Sequence, residues 1–385
     1  MRTINVRQFG AVSLGGALAV SLAACGSSSN ASNSSSSGAA APTTGWASYQ
    51  SAAQGGGLNA LIAAAKKEGS LNVITLPRDW ANYGGIMDAF TAKYGIKIND
   101  ANPNGSSQDE VNAIQSQKGQ ATAPDVVDIG NSYALSGTTQ NLYAPYKVAT
   151  WDSIPAAQKD PNGFWFASYG GYVSIGCDSS KVTVCPTTFK QLDNPIYKGK
   201  VALNGDPTQA NAAFNAVWAV ALANGGTADN IQPGIDFFKK LNSEGILNKT
   251  KGTAATIAAG ATPIVIDWDY LNASHSDGKQ WKVAVPTDGL LSSYYDQAIS
   301  ASAPHPAAAR LWEEFLYSQA AVGGQNLWLK GLARPIELPV MLKNGSAVGA
   351  SALPSVTDPN PFNPTAAQVT AQKATVASNW AAAVQ

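Results

Sequence analysis

The sequence predicts an α/β fold built as two lobes with a cleft between them. Three observations carry that reading. At 385 residues the chain exceeds what a single hydrophobic core usually supports. Helical and strand periodicities alternate from Trp46 onward. The alternation runs through two successive α/β units, each with its own strand-end loops. A content of 45% hydrophobic and 9% aromatic residues supplies the core. Lys+Arg and Asp+Glu are 25 each, so no basic surplus is present to neutralise a phosphate backbone, and nucleic acid is not an expected partner.

Residues 1–24 read as an export signal. Arg2 and Arg7 form a short positive region, and the apolar stretch 9–20 is too short for a permanent span. The segment ends Leu22-Ala23-Ala24-Cys25-Gly26, which resembles the bacterial lipobox. That resemblance implies lipidation of Cys25, and two or more acyl chains give stable anchoring. An ordinary secretory signal with an incidental Cys is the alternative. Residues 25–45, rich in Ser, Asn, Ala, Gly, Pro and Thr, cannot bury enough surface to order themselves and read as a disordered tether. The chain is therefore expected in the cell envelope, anchored to the outer face of the cytoplasmic membrane or periplasmic. With Cys25 lipidated, Cys177 and Cys185 remain as an even pair in an oxidising compartment, either disulfide-bonded or as two free thiols.

The elements follow in order. Residues 58–67 place Leu58, Leu61, Ile62 and Ala65 on one helical face. Residues 71–76 are a strand stopped by Pro77. Residues 83–94 are a helix ended by Gly95, 96–98 a strand, 108–117 a helix and 125–129 a strand ended by Gly130. This β-α-β-α-β run predicts a parallel sheet with right-handed crossovers. Ligands of such sheets sit beyond the carboxyl ends of strands, which points to loops 77–83, 102–107 and 130–133. The second unit has a strand at 200–203, helices at 209–223 and 233–244, a short helix from 256, and strands at 262–266, 281–285 and 297–300. A helix at 306–318 follows.

Several phrases resemble one family. Ala63-Ala64-Ala65-Lys66-Lys67-Glu68-Gly69, Phe90-Thr91-Ala92-Lys93-Tyr94-Gly95-Ile96-Lys97, Pro124-Asp125-Val126, Tyr197-Lys198-Gly199-Lys200-Val201 and Ala303-Pro304-His305-Pro306 stand in the order found in type II periplasmic solute-binding proteins of ABC importers. The resemblance implies a two-lobed periplasmic-binding-protein type II fold, with lobe 1 at 46–170 completed by 295–385 and lobe 2 at 171–294. Hinge strands are expected near 169–174 and 292–298. It further implies a monomer that binds a small molecule, delivers it to an ABC permease, and needs no cofactor, metal or catalytic residue.

Within that family the site pattern is similar to the polyamine-binding (spermidine/putrescine) subgroup. The resemblance implies ligand contacts from Trp80 and Tyr83, from Tyr133, from Asp206, from Trp268 and Tyr270, and from Tyr294, Tyr295 and Asp296. Aromatic faces attract ammonium groups at about 0.5–2 kcal/mol each, and carboxylates bind their ends. Each residue has a structural alternative. Asp79 can cap a helix that starts with Trp80 and Tyr83, Tyr133 can pack between lobes, and Asp206 can cap the helix at 209–223. Residues Asp267, Trp268, Asp269 and Tyr270 alternate, and the sequence does not choose which pair faces the cleft. Other guests compete. Loops 104–107 and 206–209 precede helices and suit an aminoalkylphosphonate or other zwitterion, with Arg78 adding charge. Tyr294–Tyr295 suggests ferric ion. From another class, Asp267 and Asp269 suggest a surface hydrolase, although no G-x-S-x-G or H-E-x-x-H motif is present.

Overall fold

One strand organises the molecule. In the computed structural model, which describes residues 45–275, 280–356, 362 and 364–384, helix α1 (Leu58–Glu68) leads into β1 (Ser70–Ile74), α2 (Tyr83–Tyr94), β2 (Lys97–Ala101), α3 (Ser107–Ser116), β3 (Val126–Gly130), α4 (Asn131–Thr139) and the short β4 (Tyr143–Ala144). The organising strand, β5 (Phe166–Asp178), comes next. After it run β6 (Val201–Leu203), α5 (Asn211–Ala223), α6 (Gln232–Ser243), α7 (Ala254–Ala258), β7 (Ile264–Trp268), α8 (Asp269–Ser274), β8 (Trp281–Ala284) and β9 (Ser292–Ser300). Then α9 (Pro306–Leu316), α10 (Gly324–Lys330), β10 (Arg334–Pro335), α11 (Leu338–Asn344) and α12 (Ala366–Val384) complete the chain. The export signal, Cys25 and the tether, residue 45 apart, lie outside the described residues.

The first half of β5 pairs antiparallel with β9 and β10, and its second half pairs antiparallel with β7 and β8. The strand order is β3-β9-β5-β7-β6, with β6 and β7 parallel. β5 therefore joins one group of strands, around β3 and β9, to another, around β7 and β6. At its midpoint Gly171 leaves room for a carboxylate: a Cβ there would stand 2.2 Å from Asp269 Oδ1. That carboxylate accepts from Tyr172 N (2.9 Å) and pairs with Arg334.

The expected parallel sheet of β1, β2 and β3 forms only in part. β1 and β2 pair in parallel, but β3 pairs antiparallel with β9. The reason lies at Asp125, just before β3. Its backbone N–H donates to Asn72 O (2.9 Å), while its side chain, not a strand carbonyl, takes Asn72 N (2.7 Å). The same carboxylate accepts from His305 N and Nδ1 at the start of α9, so His305 is a structural anchor. Elsewhere most expected boundaries hold to within a few residues, and α2 spans the predicted 83–94, but the strand expected at 297–300 is longer and begins at Ser292.

The core runs through both groups. Tyr83, Phe90, Trp312, Phe315, Tyr317 and Trp328 pack edge-to-face and tilted beneath α2, α9 and α10. Trp218, Phe238 and Trp380 pack α5, α6 and α12. Cys177 and Cys185 form a disulfide that closes a short loop after β5.

Candidate ligand-binding cleft

Strand-end loops of the two groups meet at a cavity of about 110 Å³. Thr75, Asp79 and Trp80 come from the segment after β1, and Asn104 to Ser107 with Glu110 from the turn into α3. Across from them stand Asn204, the first residues of α5, Lys251 to Ala254, Asp267 and His275. Asp128 on β3 and Tyr295 on β9 complete the wall.

Local sequence explains the placement. Thr75 ends β1 with φ of 57°, a left-handed conformation that costs a β-branched residue about 1–3 kcal/mol. It stands beside the cavity, and its Oγ1 donates to Glu110 Oε1 (2.6 Å). Trp80 N donates to Pro77 O and Tyr83 N to Trp80 O, two tight turns that stand the indole at the wall before α2 begins. Ser106 and Asp109 form a capping box that starts α3, and Ser107 Oγ accepts from Gly130 N (3.1 Å). Glu110 is thereby carried in on the first turn of α3.

Three buried carboxyl groups line this cavity. Asp128 accepts from Tyr169 Oη and from Gln297 Nε2, both at 2.7 Å. Asp267 accepts from Asn204 Nδ2 (2.7 Å) and Trp268 N (2.8 Å). Glu110 Oε1 also takes Asp128 N (3.2 Å), but its Oε2 has no hydrogen-bond partner. Burial disfavours the charged forms. It pushes Asp128 and Asp267 up to about 7, against the hydrogen bonds just named. It pushes Glu110 well above the usual carboxylate range, with the charge of Asp128 adding to the effect. Cationic groups are fewer here. Lys251 donates to Asn104 O (3.4 Å) and holds Asp267 down slightly, and burial depresses His275.

Of the residues expected to touch a ligand, the structure brings Trp80 and Tyr295 to the cavity. The others stand elsewhere, each for a visible reason. Tyr83 is fully buried, with its ring against Tyr169 and Trp328 and its hydroxyl accepting from Gln297 Nε2 (3.2 Å). Tyr133 donates to the carbonyls of Thr208 (3.1 Å) and Gln209 (3.0 Å) and carries the Lys373 ammonium over its ring, so it packs α4 against the loop after β6 and against α12. Asp206 is exposed and caps that loop through Thr208 N and Oγ1. Trp268 and Tyr270 do share a side, with rings parallel at 6.5 Å, but both are buried behind Trp80 and Tyr295. The two-residue period of β9 turns Tyr295 to the cavity and Tyr294 and Asp296 away from it. Tyr294 covers Gly170, and Asp296 accepts from Asn131 Nδ2 (2.8 Å).

Sequence reasoning missed Glu110, Asp128, Asn204, Asn211 and Lys251, and it left open whether Asp267 faces the cleft. Loops 77–83 and 102–107 line this cavity, whereas 130–133 contributes no lining residue.

A model of the bacterial extracellular solute-binding protein family matches residues 122–356. The chain belongs to that family. Among solved structures, this solute-binding protein is similar to the periplasmic binding protein AfuA from Actinobacillus pleuropneumoniae, solved with exogenous fructose-6-phosphate bound, at 17% identity and a TM-score of 0.65 over 81% of this chain and 99% of that one. It is also similar to a periplasmic thiamin-binding protein (19% identity, TM-score 0.63, 82% and 96% covered). A putative spermidine/putrescine ABC transporter protein from Listeria monocytogenes gives 14% identity and a TM-score of 0.59, with 80% and 98% covered. These likenesses show the two-lobed periplasmic-binding-protein fold. No curated protein sequence matches this solute-binding protein.

Proposed function

We propose that this solute-binding protein is the capture component of an ABC importer and that its cargo bears an organic cation, a polyamine being the simplest case. One observation carries the reading. Glu110, Asp128 and Asp267 are nearly or fully buried around one cavity that Trp80 and Tyr295 also line. Ionised carboxylates in such a place are costly without a partner, and a guest ammonium offsets that cost. The adjoining aromatic rings suit an ammonium and its methylenes.

β5, which joins the two groups of strands, and the start of β9, where the chain crosses back from β8, serve as the hinge. They separate 46–170 and 295–385 from 171–294, with α12 returning to pack on α6 through Gln372 and Trp380. Closure about such strands is the usual response to a ligand held by both lobes. Lipid on Cys25 tethers the protein at the outer face of the membrane. Cys25→Ala is expected to free it into the medium or periplasm, and membrane retention of that variant contradicts the anchor.

The hydrolase reading loses its support in the geometry. Asp267 faces the cavity while Asp269 is engaged by Arg334 and Tyr172 N, so the two acids do not work on one bond. On β9, Tyr294 and Tyr295 project to opposite faces, which speaks against a ferric site built on that pair.

A thermal-shift panel of polyamines, amino acids, sugars and ferric salts tests the proposal. A true ligand at a hundredfold its Kd adds about 2.7 kcal/mol of stability. The expected result is a shift with ammonium-bearing compounds and none with neutral sugars. The reverse pattern, or turnover of the bound compound, contradicts it.

A further inference from the structure

Two buried polar atoms without partners line the same cavity, and they have opposite sense. In its ionised form Glu110 offers Oε2 as an acceptor without a donor, and Asn211 Nδ2 is a donor without an acceptor. The two residues are 0% and 6% exposed. Leaving either group unpaired is costly, and native proteins rarely tolerate it without a reason. A guest that supplies one sense alone leaves the other atom unpaired.

The surroundings of Asn211 point to an anionic group. Asn211 is the first residue of α5, a helix of 13 residues whose N-cap, Ala210, has no capping side chain. Asp206, the nearby candidate cap, directs its Oδ1 to Thr208 N and Oγ1 and not to α5. Among the described residues no side chain caps the leading amides of α5, at the positive end of the helix dipole. Asn211 Oδ1 is occupied by Asn215 Nδ2 (3.0 Å), which leaves Nδ2 as the free end of the amide. That end lies near the Tyr295 hydroxyl but outside hydrogen-bonding geometry. Gly130 makes the arrangement possible, since a Cβ there would lie 2.5 Å from Asn211 Cγ. Lys251 adds a positive charge to the wall. Asp267, the acid near Lys251, is already engaged by Asn204 Nδ2 and Trp268 N.

We infer that the cargo is a compact zwitterion. Its ammonium meets Glu110 and Asp128, and its oxyanion meets the start of α5, Asn211 Nδ2 and Lys251. This deepens the cation reading above and rests on it. A diamine satisfies Glu110 but brings a second cation to a donor-lined end. An anion alone does the converse.

Calorimetry at pH 7 on the soluble chain separates the cases. The probes are ω-amino acids of two to six carbons, aminoalkylphosphonates of matching length, the diamines and the simple carboxylates. The expected result is that one zwitterion binds at least tenfold tighter than the diamine and the carboxylate of the same length. Lys251→Met and Asn211→Ala are each expected to weaken that zwitterion tenfold or more while leaving the diamine unchanged or improved. If Asn211→Ala fails to fold, the exposed Lys251 variant carries the test alone. A diamine that matches every zwitterion overturns this inference and leaves the cation reading intact. A carboxylate that matches every zwitterion overturns both, as does the absence of binding by all four sets.

Discussion

Tyr169 Oη accepts from the Trp80 indole N–H at 2.7 Å and donates to Asp128 Oδ2 at 2.7 Å. One hydroxyl on β5 thus fixes an aromatic ring and a carboxyl group of the cavity at once. Because β5 also runs between the two groups of strands, the site and the proposed hinge share a residue. Tyr169→Phe removes both bonds without changing the ring. It is expected to cost about 1–3 kcal/mol, the usual penalty for leaving buried polar groups unpaired. It is also expected to push the Asp128 carboxyl further up, since the Tyr169 bond is the largest influence holding it down. Thermal melts and carboxyl NMR titration check the two effects.

The buried acids make stability depend on pH in an unusual direction. Asp128 and Asp267 are raised from 3.8 to about 7 in the folded chain. Between those values the folded state holds protons that the unfolded state releases. Their contribution is therefore fully present below about pH 4 and is lost as pH rises toward 7, by at most about 1.4 kcal/mol per pH unit for each group. Asp128→Asn is expected to flatten the dependence between pH 5 and 7.5, read from melts of the ligand-free protein. A cationic guest requires the ionised form, so its affinity is expected to fall as pH drops from 8 to 6.

Trp80 and Trp268 are expected to respond differently to truncation. Trp80 is half-buried at the wall, and Trp80→Ala should weaken a cationic guest by about tenfold or more through lost ring contact. Trp268 is 1% exposed and packs on Tyr270 and Tyr295. Trp268→Ala should cost about 3–5 kcal/mol of stability, with any affinity loss following from displaced Tyr295. Paired melts and calorimetry separate the two outcomes.

The Cys177–Cys185 disulfide closes a loop with a sequence separation of 8 beyond β5. By loop-closure entropy the double Ser variant should lose about 2–3 kcal/mol. Since the loop lies outside the cavity wall, affinity should be unchanged. Denaturant melts with and without reductant check the first, and calorimetry the second.

Much of the fold was legible because it is local. The Tyr83–Tyr94 helix announces itself by its periodicity and by Gly95, and the strands by short apolar runs between turn residues. Two of the loops named from strand ends do line the cavity. What was not legible is non-local. Asp128 belongs to the site because antiparallel β9 brings Gln297 and β5 brings Tyr169 against it, and no spacing near Asp128 encodes that pairing. Glu110 reads as a surface acid on an amphipathic helix until Thr75, in its left-handed turn, reaches it. Conversely, Tyr83, Tyr133 and Asp206 sit close to the cleft in sequence order, but their polar atoms are satisfied by Gln297, by the 208–209 carbonyls and by Thr208. Resemblance to a family pattern locates such residues near a site without deciding what they touch.

The most direct test is a crystal structure of the exported protein soaked or co-purified with its solute. The account predicts density for a small ammonium-bearing guest between Trp80 and Tyr295, with nitrogen within hydrogen-bonding distance of Glu110 or Asp128. A guest seated elsewhere, or one in this cavity that presents no cationic group to those carboxyls, contradicts it.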